Sequence, residues 1–151
     1  MMCRALIGNR RSLFTICLLC LLFSIPVSCG SVGGKKNTSE TLGAAVEAFN
    51  NAVRWEEFRS ASQLLSAAER DEFWEIVDQM QKRIRLMDFE VRDISIEEDK
   101  FTGSAVLRYR YYSPTDPSVR TKMLHQKFRY LEKQKAWQVT HHDLNMLLPS
   151  R

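Results

Sequence analysis

LMDFEVRDISIEEDKFTGSAVLRYRYYSPTDPSVRTKMLHQKFRYLEKQKAWQVTHH, residues 86–142, is the stretch that decides the fold. Successive side chains on a strand point to opposite faces, so apolar residues recurring every second position mark strands with one buried face. Met87, Phe89 and Val91 share one parity, whereas Ile94 and Ile96 take the other. Strict alternation would send one of these sets into water, and the mismatch predicts a β-bulge near Arg92 and Asp93. Glu97 to Lys100 reads as a polar turn. Ala105 to Tyr112 reads as a strand with Ala105, Leu107, Tyr109 and Tyr111 on one face. SPTDPS, residues 113–118, is a proline-bearing hairpin loop. A long strand from Arg120 to Leu131 returns, residues 132–135 turn again, and Ala136 to His141 forms the last strand. The tail from Leu144 to Pro149 is apolar enough to dock on the domain.

Upstream of Leu86 the apolar spacing is helical. Ser39 is placed to cap a helix on which Leu42, Ala45, Val46, Phe49, Ala52 and Val53 form one stripe. A second short helix runs through Trp55, Phe58, Ala61, Leu64 and Leu65. Ser66 with Glu69 has the spacing of a capping box. It opens a third helix whose buried face carries Phe73, Trp74, Ile76, Val77, Met80 and Ile84. Helices followed by an antiparallel meander give an α+β domain over residues 39–151, with three N-terminal helices packed on one face of a curved four-stranded sheet. This order of elements, the bulged first strand and the tryptophan of AWQV (residues 136–139) together resemble the nuclear transport factor 2-like cone fold. A cystatin-like fold with one long helix is the alternative, and the count of three helices argues against it. The resemblance covers residues 39–140 and rests on layout. It implies a pocket between sheet and helices, used as an active site by ketosteroid isomerase and polyketide cyclases and for ligand binding by other members. Still others use only the sheet surface for association. Fold alone does not choose among these uses.

The first residues are of another kind. Met1 to Ser12 is polar and basic, and LFTICLLCLLFSI, residues 13–25, is apolar but short for a membrane span, which is the layout of a signal peptide. Val27, Ser28 and Cys29 then resemble the lipobox of bacterial lipoprotein precursors, with Pro26 standing where leucine is usual. That resemblance implies a signal peptide over residues 1–28, lipidation of Cys29 and a membrane anchor in the bacterial cell envelope. Gly30 follows the cysteine where an inner-membrane retention signal has aspartate, which implies the outer membrane, facing the periplasm. Arg10 and Arg11 serve the n-region of either a general or a twin-arginine signal. Residues 29–38, CGSVGGKKNT, read as a flexible tether.

The chain has 151 residues, 44% hydrophobic and 26% charged, which excludes a disordered or collagen-like protein. Its net charge of +4 would suit a nucleic-acid partner. However, Arg4, Arg10 and Arg11 lie in the segment to be removed, and an envelope location takes nucleic acid away as a partner. All four cysteines fall at or before Cys29, leaving the domain no disulfide and no thiolate metal site. Residues 40–99 hold 15 acids against 7 bases and residues 100–151 hold 10 bases against 3 acids. Either the two halves attract each other when packed, or a basic sheet is offered to an acidic partner.

No arrangement of residues spells a catalytic set, and no cofactor is expected. His141, His142 and Asp143 are adjacent, but neighbouring strand residues face apart and cannot share one metal, so no metal is expected. An isomerase or cyclase would need a carboxylate and a proton donor in one cavity, and Asp93 with Tyr109, Tyr111, His125 or His141 supplies the candidates. The favoured reading is a non-catalytic domain that binds a small apolar ligand or another envelope protein. Its expected ligand-binding residues are Trp74, Tyr109, Tyr111, His125 and Trp137.

Overall fold

The computed structural model describes residues 38–149; Cys29 and the segments before and after it, residues 1–37, lie outside them. Helix α1 spans Thr38–Arg54, α2 spans Phe58–Leu64, a 3-10 turn at Ala67–Glu69 leads into α3 at Arg70–Arg83, and β1 (Arg85–Ile96), β2 (Thr102–Ser113), β3 (Asp116–Leu131) and β4 (Ala136–His142) follow. The strands form one antiparallel sheet in the order β1-β2-β3-β4. This is the α+β architecture expected from the sequence.

The stripe on α1 is buried as its spacing requires: Leu42, Val46 and Phe49 have no exposed surface and Val53 almost none. Glu40 in the first turn and Arg54 in the last oppose the partial charges of the helix ends. The helix begins at Thr38, before the serine expected to cap it. It ends in a Schellman motif, where Glu57 N–H donates to the Ala52 carbonyl at 2.8 Å, Glu56 N–H donates to that of Val53 at 3.2 Å, and Glu56 is left-handed at φ 59°. That turn expels Trp55, 66% exposed with the Arg54 guanidinium 4.9 Å from its ring centroid, so Trp55 does not belong to the second helix. The expected capping box does not form either. Ser66 makes no side-chain cap, and its carbonyl accepts from Glu69 N–H at 3.1 Å to close the 3-10 turn instead.

Bulges decide which side chains β1 buries. One falls between Val91 and Asp93, as the parity change predicted, and a second lies between Leu86 and Asp88. The second turns Met87 outward and sets Leu86 opposite Tyr111, in phase with Phe89 opposite Tyr109 and Val91 opposite Leu107. On β2 the inward residues Ala105, Leu107, Tyr109 and Tyr111 are all buried, as expected. Gly103 belongs to the same face, and a Cβ there would lie 2.5 Å from Leu42 Cδ2, so its lack of a side chain lets α1 approach the sheet. The β2–β3 turn is tighter than the six-residue loop expected, because β3 already begins at Asp116 and contains Pro117. Leu144 and Leu147 of the C-terminal 3-10 turn are buried, so the tail docks.

On the outer face of the sheet, Asp88 pairs with Arg110, and Glu90 with Arg108 and Arg92. The hydrogen bond from Arg110 holds the Asp88 carboxyl below its ordinary range. The acidic first half of the chain thus meets the basic second half across β1 and β2. Exposed pairs of this kind add little stability and weaken with salt.

Candidate functional site

The space that the sequence pointed to as a pocket is filled by the protein itself. Phe49, Phe73, Leu107, Tyr109 and Phe128 are completely buried between helices and sheet. In their midst lies a polar triad. Asn50 Nδ2 donates to the Val46 carbonyl at 2.7 Å and to Gln126 Oε1 at 2.9 Å, Gln126 Nε2 donates to Asn50 Oδ1 at 2.7 Å, and the Tyr109 hydroxyl donates to the same Asn50 oxygen. All three side chains are sealed from solvent, and burial pushes the Tyr109 phenol far from ionisation. Their hydrogen bonds run from α1 to β2 and β3, which makes the triad a device for fixing helix to sheet.

His142 adjoins this network by an irregularity in β4. Phe128 pairs with Val139, but Lys127 pairs with His141 and Gln126 with His142, so the strand gains a residue at Thr140. Alternation from Trp137 and Val139 would aim His141 inward; the bulge aims His142 inward in its place. The polar strand end expected here therefore holds a histidine only 3% exposed, with both ring nitrogens unpartnered among the described residues. Its ring stacks on Phe49 with centroids 6.2 Å apart and meets Phe73 edge-on at 5.7 Å. Burial lowers its pKa, while Glu72 and Asp143 oppose that shift and His141 adds to it. A base kept neutral in the fold but free to take a proton near 6.5 when unfolded withdraws stability as pH falls below that value. Urea unfolding between about pH 7 and pH 5 should show stability declining by up to about 1.4 kcal/mol per pH unit, and His142→Phe should flatten that slope. Asp88, Asp99 and Asp116 have lowered values and lose their contribution only below the ordinary carboxylate range, outside this window.

The five expected ligand contacts do not converge. Trp137 is buried toward the start of α1, its Nε1–H donating to Thr41 Oγ1 at 3.2 Å and its ring edge-on to Tyr130. Tyr109 is held by Asn50. His125 is exposed on the outer face, where its backbone N–H donates to Asp143 Oδ2 at 3.0 Å. Trp74 is 43% exposed against the edge of Phe73, because the buried arc of α3 is narrow and is filled by Phe73, Ile76, Val77 and Met80. Asp93 is exposed opposite Val106 on the outer face of the sheet, away from the buried Tyr109 and Tyr111. Among the described residues no three His, Cys, Asp or Glu side chains gather as metal ligands.

Of the five, Tyr111 lines a cleft. It lies at the β2–β3 end of the sheet, measures about 360 Å³, and is bounded by the end of α3, the β2–β3 turn and the C-terminal segment. Ile84, Tyr111 and Leu147 supply apolar surface, and Lys82, Arg83 and Arg120 supply cations. The one carboxylate, Asp116, is engaged by Arg120 at 2.8 Å. Beyond Tyr111 the sequence offered no sign of this site, because its residues come from three distant segments and none forms a motif.

No family model and no curated protein matches the sequence. Solved structures do match its fold. A ketosteroid isomerase-like protein from Erwinia carotovora atroseptica is 10% identical with a TM-score of 0.57, over 71% of this chain and 94% of that one. A protein of the nuclear transport factor 2-like family from Streptomyces avermitilis is 17% identical with a TM-score of 0.50, over 68% of this chain and 92% of that one. At such identities the likeness is one of fold. The chain has the nuclear transport factor 2-like architecture, and that architecture by itself assigns no function.

Proposed function

We propose that the chain is a non-catalytic envelope lipoprotein, anchored through Cys29 in the bacterial outer membrane facing the periplasm, whose domain takes a small anionic amphiphile into the Tyr111 cleft. The observation that carries this reading is the cleft itself, with an apolar floor and a cationic rim whose single acid is already paired. A ligand with a short apolar body and a carboxylate, sulfonate or phosphate head matches both parts. The filled interior argues in the same direction. An enclosed active site would have to displace Phe49, Phe73 or the Asn50 triad, whereas the cleft is open without rearrangement.

The anchor and the cleft are tested separately. Cys29→Ala should abolish incorporation of labelled palmitate; labelling that persists would refute the anchor. For the cleft, residues 30–151 should bind anilinonaphthalene sulfonate saturably, and Lys82→Glu with Arg83→Glu should weaken that binding about tenfold, with only the small loss of melting temperature that two acids at the C-terminal end of α3 bring. Equal affinity of the wild type and the charge-reversed protein would remove the cleft from consideration.

A further inference from the structure

The sheet has an edge that is only half covered. β4 pairs with β3 from Leu131 back to Gln126 and stops at His142, while β3 continues to Asp116. The backbone of β3 alternates between its two neighbours, and the directions are fixed by two bonds. Tyr130 N–H donates to the Phe101 carbonyl on the β2 side at 2.7 Å, and His125 N–H donates to Asp143 on the other side. Odd-numbered residues therefore face away from β2. Thr121 and Met123 present their N–H and C=O groups along an edge that no other described strand pairs, and Val119 follows where the register with β2 breaks.

We infer that this open stretch of β3 docks an extended, acidic segment of a partner protein, which adds to the sheet as a further strand beyond the end of β4. Charge selects that occupant. On one face of the stretch lie Lys122, which is exposed, and Arg120, which pairs with Asp116 beside the Tyr111 cleft; on the other, Val119 and Met123 are 52% and 41% exposed. A strand alternating acidic and apolar residues satisfies both faces and the backbone together. The chain's own tether carries Lys35 and Lys36 and would be repelled. A second copy paired about Thr121 would set Arg120 of one chain against Lys122 of the other. Lysine, arginine and proline are also the residues that keep sheet edges from joining indiscriminately. Here the same residues exclude basic strands and copies of the chain while admitting acidic ones.

The test uses the full chain in detergent micelles and a labelled octapeptide alternating valine and glutamate, with lysine replacing glutamate as control. The acidic peptide should bind saturably and the basic one at least about tenfold more weakly. Thr121→Pro, which removes an edge donor and no β2 bond, should weaken the acidic peptide by about tenfold. Amide exchange gives an independent reading in the unaltered chain. The amides of Thr121 and Met123 should exchange fast without peptide and slow by about tenfold or more when it is saturating, while those of Arg120 and Lys122 stay protected throughout. Odd-numbered amides already protected in the free chain, or unaffected at saturation, would overturn the inference. Protection that rises with protein concentration alone would assign the edge to a second copy and overturn it as well.

Discussion

Asn50→Leu is expected to be among the most damaging single substitutions in the domain, lowering its stability by about 3–5 kcal/mol. The side chains are of similar size, so the loss does not come from a void. It comes from Asn50 being the hub: its amide serves Val46, Gln126 and Tyr109 at once, and leucine would leave the Tyr109 hydroxyl and the Gln126 amide buried without it. Each orphaned group costs about 1–3 kcal/mol. Chemical denaturation checks the size of the effect, and a combined variant checks its cause. Asn50→Leu, Tyr109→Phe and Gln126→Leu together remove every unsatisfied partner and should recover most of the loss. A single Asn50→Leu variant within about 1 kcal/mol of the wild type would show that water or rearrangement satisfies the triad.

Phe73→Ala should cost a comparable amount, about 3–5 kcal/mol, for a different reason. Phe73 is completely buried and its ring meets those of Phe49, Phe58, Trp74 and His142, so it joins all three helices to β4. Its removal opens space directly beside the unpartnered nitrogens of His142, where water can enter and hydrogen-bond. Unfolding in urea should record the lost stability. NMR titration of the histidine ring should also show the His142 pKa rising toward 6.5, since burial is the principal cause of its depression. A destabilised variant whose His142 titration does not move would mean that the ring stays dry and that the cavity collapses.

The fold was legible because its signals were local. The change from helical to strand spacing at Leu86 located the start of the sheet, and the parity break at Ile94 located the bulge at Arg92. The interior polar residues and the cleft were less legible, and the reasons differ from one to another. Asn50 stands four residues after Val46 and three before Val53, on the apolar stripe, and Gln126 shares the inward parity of Leu124 and Phe128. A polar residue at a core position was a signal in each case, and pairing the two needed only the third dimension. His142 gave no such signal, because simple alternation assigns the inward place to His141 and only the bulge at Thr140 reverses it. Trp55 and Trp74 misled because size and apolarity favour burial on average, whereas the Schellman turn and the narrow buried arc of α3 decide these two cases. The cleft depends on how the end of α3, the β2–β3 turn and the C-terminal tail meet, and no spacing within one segment records that.

The proposed function places the ligand at the β2–β3 end of the sheet and not in the interior pocket that the family resemblance implied. Isotope-filtered NOE measurement on labelled residues 30–151 with unlabelled octanoate tests it most directly. The account predicts contacts from the octanoate methylenes to Ile84, Tyr111 and Leu147, with none to Phe49, Phe73 or Leu107. Contacts centred on Phe49, Phe73 and Leu107 would contradict it, showing that the packed interior opens to admit the ligand.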